Sequence, residues 1–212
     1  LTENGDGVDL QGKTWKDILD GASGPSYTAA SNLKEDFGVV FQPEGGIAHI
    51  YVAGNLGPVA GSLQEKQRRW ATAPSLASLK PLVDNIVRNL GTGNNTSPFL
   101  QILVRIPGPG GGFEGSRYMV VPSTYSPAST ADLQEDLDEV STLDALDGYL
   151  DPARRIGEWI SENTGDIVLI ANLTAGYLFD PEPLRSTHGS LTVQDGRVPL
   201  VFSYPGASDK DA

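Results

Sequence analysis

His49 and His188 are the only histidines in the chain, and it contains no cysteine. Zinc sites take three or four nitrogen, sulfur or carboxylate ligands. A self-contained multi-histidine metal site is therefore excluded, as are thiolate nucleophiles, disulfides and cysteine-based zinc or iron–sulfur centres. His49 stands in the alternating run 47–53 (IAHIYVA), where Ile47, His49 and Tyr51 share one face. That pattern predicts a hydrogen-bonded strand histidine rather than a metal ligand. Glu158, Glu162 and Asp166 cluster in sequence. They permit two readings, the carboxylate pair of an acid/base hydrolase or a solvated helix end.

Two glycine motifs fit phosphate-binding patterns but not their structural context. Residues 7–14 (GVDLQGKT) match G-x-x-x-x-G-K-T. A phosphate loop needs a buried strand before it and a helix after it, so that backbone N–H groups converge on the phosphates; only the mostly polar residues 1–6 precede it. Residues 110–115 (GGGFEG) match G-x-G-x-x-G. The dinucleotide version opens a helix, whereas the residues that follow, RYMVVP at 117–122, read as a strand. A hairpin loop is the better account. Residues 94–96, 95–97 and 172–174 fit the glycosylation triplet, a pattern frequent by chance, and the last ends an apolar run.

The elements that would position these groups follow from periodicity. Residues 37–42 (FGVVFQ) and 47–53 predict a β-hairpin around a four-residue loop at 43–46. A second strand pair is 99–106 and 117–122, joined by the glycine loop. Residues 166–172 and 198–203 are nearly continuous in apolar residues, as suits strands covered on both faces. Residues 167–171 and 200–202 are expected to be buried neighbours in one sheet, with the first hairpin outside it or at its edge. Helices are predicted at 62–72, 75–90 and 152–163. In the second, Leu76, Leu79, Leu82, Val83, Ile86, Val87 and Leu90 form one stripe, with Ser75 as N-cap and Gly91 as stop. The acidic stretch 132–147 predicts a solvated helix.

Composition narrows the partners. A formal charge of −12, with scattered Lys and Arg, argues against a nucleic-acid polymer as partner, since tracking phosphates needs a basic stripe. No apolar run approaches the roughly 20 residues that span a bilayer, which argues against a membrane partner. At 212 residues folding buries roughly 70% of the unfolded chain's surface, so no disulfide or metal is needed for stability.

Residues 165–206 carry a specific resemblance. The strand 165–169 (GDIVL) leads through an aromatic turn to Thr187-His188-Gly189, then to the apolar strand 198–202 (VPLVF) and the turn Pro205-Gly206. This order and spacing resemble the C-terminal end of the type I phosphodiesterase and nucleotide pyrophosphatase branch of the alkaline phosphatase superfamily. Residues 45–51 (GGIAHIY) are similar to a hairpin in that family's inserted or capping region. The resemblance implies an α/β fold, the C-terminal part of an alkaline-phosphatase-like three-layer sheet with an α+β cap or insert. It divides the chain into an N-terminal anchoring segment (1–36), a cap-like region (37–150) and the end of the phosphoesterase core (151–212).

Two divalent metals, usually zinc, and a phosphate-ester small molecule are implied for the intact protein. His188 is the one ligand that carries over, as the histidine of the His-Gly step. No stretch reads like the family's nucleophile turn, there is no Asp-His dipeptide, and Ser190 stands where the family often has an aromatic residue. The expectation is therefore a C-terminal fragment, inactive alone, whose partner is the upstream part of its own chain. A non-catalytic binding or interaction domain is the alternative.

Overall fold

The computed structural model describes residues 39–54, 71–93, 97–145, 148–161 and 163–175, together with Tyr177, Phe179 and Leu191. The predicted helix at 62–72, save its last two residues, and the predicted strand at 198–203 lie outside the described residues.

The first hairpin forms as expected, with a tighter turn. Strand β1 (Val39–Glu44) pairs antiparallel with β2 (Ile47–Val52), and the ladder continues through Pro43 opposite Ala48 and Glu44 opposite Ile47. Only Gly45 and Gly46 remain for the turn, and Gly45 takes φ 67, which glycine adopts without the cost of a Cβ. Pro43 is tolerated because β1 is an edge strand, where a missing N–H costs least.

Helix α1 (Leu76–Leu90) follows its sequence signals closely. The Ser75 hydroxyl accepts the N–H of Ser78 at 3.2 Å, and the N–H of Gly91, at φ 84, closes onto the Val87 carbonyl at 2.9 Å. Its stripe of Leu79, Leu82, Val83, Ile86 and Val87 is buried.

Strand β3 (Phe99–Ile106) pairs with β4 (Arg117–Val120), which pairs with the two-residue β5 (Asp138–Glu139). Helix α2 (Pro152–Trp159) precedes β6 (Ile167–Ala171), which inserts between β2 and β3. The strand order is β1-β2-β6-β3-β4-β5, and every pairing is antiparallel. The sheet therefore draws strands from both sides of residue 150, and the hairpin lies at its edge with β2 directly beside β6.

Alternation along the strands sorts side chains onto two faces. Ala48, Ile50, Ile102, Val104, Ile167 and Leu169 face the side covered by α1. Leu103, Tyr118, Val120, Val168 and Ile170 face the side that carries Ile156 and Trp159 of α2. A bulge between Phe99 and Gln101 keeps Phe99 on the α1 side. All five residues of β6 are buried. The fold is mixed α/β, with helices on both faces of an antiparallel sheet.

The acidic stretch departs from the expected single helix. It forms two 3-10 segments, Leu133–Asp136 and Val140–Ala145, on either side of β5. Leu133 and Leu137 pack on the α1 face and Leu143 on the α2 face. One continuous helix could not deliver its leucines to opposite sides of a sheet, so the chain breaks as it crosses the edge. Helix α2 also stops short of the predicted 163, because Ile160 is extended (φ −62, ψ 106).

Candidate functional site

The chemically capable side chains gather where the turn after α2 meets the heads of β2, β3, β4 and β6. Arg105 on β3 and Asp166, just ahead of β6, form an ion pair with side chains only 3% and 5% exposed. Arg105 Nη2 lies 2.5 Å and Nε 3.1 Å from Asp166 Oδ1, while Asp166 Oδ2 accepts the Val52 N–H at 2.7 Å. Arg105 Nη1 donates to the Ser161 carbonyl at 2.7 Å, and the guanidinium lies 4.6 Å from the Phe113 ring centroid. Phe113 belongs to the glycine loop, whose Gly110, Gly111 and Gly115 all have positive φ. As expected, that loop joins two strands and opens no helix.

Around this pair the backbone of the turn is held from several sides. Tyr118 donates to the Gly165 carbonyl at 2.5 Å, and the Gly165 N–H donates to His49 Nδ1 at 3.2 Å. Tyr51 donates to the Asn163 carbonyl at 2.8 Å, and the Thr164 hydroxyl donates to the Trp159 carbonyl. His49 and Tyr51 share a face, with ring centroids 6.0 Å apart. Burial pushes the Asp166 carboxyl above the ordinary carboxylate range, against the opposing pull of Arg105 and the Val52 N–H. Burial likewise pushes the Tyr118 phenol up. Both Asp166 oxygens are engaged within the protein, so the cluster positions backbone rather than presenting a reactive group.

A second constellation lies on the outer side of α1, beside an open groove of about 1010 Å³ lined in part by Lys80, Asp84, Arg88, Asp132 and Glu135. Tyr125 donates to Asp84 Oδ1 at 2.6 Å, and Lys80 Nζ lies 3.1 and 3.2 Å from the two Asp84 oxygens. Arg88 approaches Asp84 at 3.8 Å. The cations along this helix are thus spent on Asp84. Burial, followed by the Asp84 hydrogen bond, pushes the Tyr125 phenol up.

A smaller pocket of about 360 Å³ is lined by Asp144, Tyr149, Leu150, Asp151, Pro152 and Arg154. At its edge the Leu150 N–H donates to the carbonyl of Leu191 at 3.1 Å, and Leu191 is fully buried on the α2 face of the sheet.

His188 lies outside the described residues, as do Glu162 and residues 7–14. The structure does not bring Glu158 and Asp166 together: Glu158 is exposed on α2 and pairs with Arg154 at 2.6 Å, whereas Asp166 is buried against Arg105. An acid/base pair of those two carboxylates is therefore ruled out. His49 is hydrogen-bonded, as its strand position predicted. Asn172 is 1% exposed and its amide bridges Ser97 and Ala175, so its glycosylation triplet is structural.

Among the described residues no group of three or more His, Asp or Glu side chains could hold a metal ion. Nδ1 of His49 is already occupied by the Gly165 N–H. The described side chains thus do not form the zinc site implied for the intact protein.

Sequence reasoning missed the Arg105–Asp166 pair. Its signal was present as a single charge within or beside each of two apolar runs, FLQILVRI and DIVLIA. A charge held at a buried strand position requires a partner.

No family model, curated protein or solved structure matches the chain.

The buried phenols give a pH test. Burial raises Tyr118, Tyr125 and Tyr149 above the usual phenol range. Above about pH 10 the unfolded chain gives up protons that the folded chain keeps, so these groups lower stability as pH rises further. In a spectrophotometric titration, three of the seven tyrosines should stay silent until the fold opens. Ionisation of all seven with native circular dichroism intact would contradict the burial described here.

Proposed function

We propose that this chain is the C-terminal part of a metal-dependent phosphoesterase that hydrolyses phosphomonoesters or phosphodiesters, and that it is inactive alone. The observation that carries the reading is the order of residues in 165–206: the apolar run GDIVL, an aromatic segment, His188-Gly189, a second apolar run VPLVF and Pro205-Gly206. Supporting it, β6 is buried on both faces at the interior of a sheet with helices on each side. Leu191, three residues after His188, is buried on that sheet.

In this reading β6 belongs to the end of an alkaline-phosphatase-like three-layer core at 151–212, and residues 37–150 to its α+β cap or insert. His188 is one ligand of a two-zinc centre whose remaining ligands and nucleophile come from the upstream part of the same protein. Bound metals supply Lewis acidity toward the phosphoryl oxygens. The Arg105–Asp166 ion pair joins β3 to the head of β6, and the Leu150–Leu191 hydrogen bond ties residue 191 to the start of the α2 region.

The test uses aryl phosphate mono- and diesters. The purified chain should show no turnover with added zinc, because one histidine cannot fix an electrophilic metal. In the longer protein, His188→Ala should lower metal content and activity together, by at least the roughly 10–100-fold that even an outer-shell partner is worth. Unchanged metal content and activity in that variant would remove the basis of the proposal.

A further inference from the structure

Pro81 stands inside α1, and a proline has no N–H to offer the carbonyl four residues back. That carbonyl belongs to Ala77, which is exposed. Both residues line the open groove of about 1010 Å³ whose other wall is formed by residues 130–135. The groove thus runs past a helix carbonyl that lacks its i+4 donor, with the partly exposed Leu76 and Pro81 beside it.

The charges of the groove are three carboxylates, Asp84, Asp132 and Glu135, against two cations, Lys80 and Arg88. Both cations lie against Asp84, at 3.1 and 3.8 Å, and Arg88 also donates to the Asn85 side chain and the Pro127 carbonyl. Asp132 and Glu135 are exposed and belong to none of the ion pairs among the described residues. Asp132 even stands at the N-cap of a 3-10 segment without making a capping hydrogen bond through its side chain. The two charges left over are both negative, and the Ala77 carbonyl adds a third acceptor. Shape narrows the occupant further. From Leu76 to Arg88 the helical wall runs roughly 18 Å at about 1.5 Å per residue, the length of about five residues of extended chain.

We propose that this groove docks an extended basic segment of a partner protein. Arginine or lysine side chains of the segment pair with Asp132 and Glu135, and its apolar side chains lie on Leu76 and Pro81. The formal charge of −12 draws such a partner toward the chain, while the two rim carboxylates decide where it settles.

The test is a nuclear magnetic resonance titration of the isotope-labelled 212-residue chain with a short peptide of arginine and leucine. Amide shifts should gather at Ala77, Lys80 and residues 130–135. Affinity should fall as salt is added, since exposed charges are screened within about 10 Å at 0.1 M. An exposed ion pair is worth up to about fivefold in an equilibrium constant, so Asp132→Asn with Glu135→Gln should weaken binding by roughly tenfold. Neither change threatens the fold, because both side chains are exposed and Asp132 caps nothing. Glu114→Gln, which neutralises an exposed acid on the glycine loop, should bind as wild type does. The same peptide with citrulline in place of arginine should lose as much affinity as the double variant does. Absence of binding, full binding of the citrulline peptide, or an equal loss in Glu114→Gln would overturn the proposal. So would the same shifts on adding calcium chloride alone, which would assign the groove to a small cation.

Discussion

Arg105→Met should destabilise the fold by about 3–5 kcal/mol, the usual cost of stripping one partner from a buried ion pair. The methionine fills similar volume and can still lie against Phe113, so lost packing contributes little. What remains is a carboxylate at Asp166 with a 5% exposed side chain, held by the Val52 N–H and its own backbone N–H without a countercharge from Arg105. The Ser161 carbonyl loses its donor as well. For a chain of this size, such a loss corresponds to a fall in melting temperature of roughly 6–20 °C.

Arg105→Lys should fall between wild type and methionine. An ammonium restores charge but cannot serve Asp166 through two nitrogens while a third reaches Ser161. The double variant Arg105→Met with Asp166→Leu should be more stable than Arg105→Met alone, since no charge is left buried. It should not regain wild-type stability, because the Val52 N–H then lacks its acceptor.

The variants also differ in pH response. In Arg105→Met, burial at Asp166 is no longer opposed by the guanidinium, so the folded carboxyl holds its proton further above the unfolded value of about 3.9. The folded state binds more protons than the unfolded one in that window, so this variant should lose stability as pH rises through it. Urea titrations at acid and neutral pH measure both effects. A loss below about 1 kcal/mol for Arg105→Met at neutral pH would show that the pair behaves as a solvent-screened one.

What the sequence disclosed and what it hid follow from the range of the interactions involved. Helix α1 was legible because its cap, stripe and stop are all local: Ser75, the leucine and valine face, and Gly91. Strand β6 was legible because five successive apolar residues have no other use. The strand status of Pro43 and Glu44 was hidden by proline, which is acceptable only because β1 is an edge, a fact of the assembled sheet. The broken path through 132–147 was hidden because it depends on which face each leucine meets. Arg105 and Asp166 are 61 residues apart, and neither residue names the other. Insertion of β6 between β2 and β3 is likewise a non-local choice. Of the chemistry, the strand role of His49 could be read from alternation, whereas its grip on Gly165 spans 116 residues and could not.

Leu169→Ala is the second large effect expected, at about 2–5 kcal/mol. Leu169 is fully buried at the middle of β6, with Ala48 of β2 opposite on one side and Ile102 of β3 on the other. It belongs to the cluster that α1 closes from above with Leu79, Leu82, Val83 and Ile86. Truncation removes the transfer energy of the lost carbons and leaves a void, because strands hydrogen-bonded on both sides cannot move in to fill it. The small Ala48 offers no longer side chain to swing across, which places the expected value in the upper half of the range. Leu150→Ala provides the comparison, since Leu150 is 37% exposed and exposed changes stay within about 0.5 kcal/mol. Both are measured by denaturant titration, and equal slopes against denaturant confirm that the same cooperative unit unfolds. A Leu169→Ala cost no larger than that of Leu150→Ala would mean that β6 is not the interior strand of this sheet.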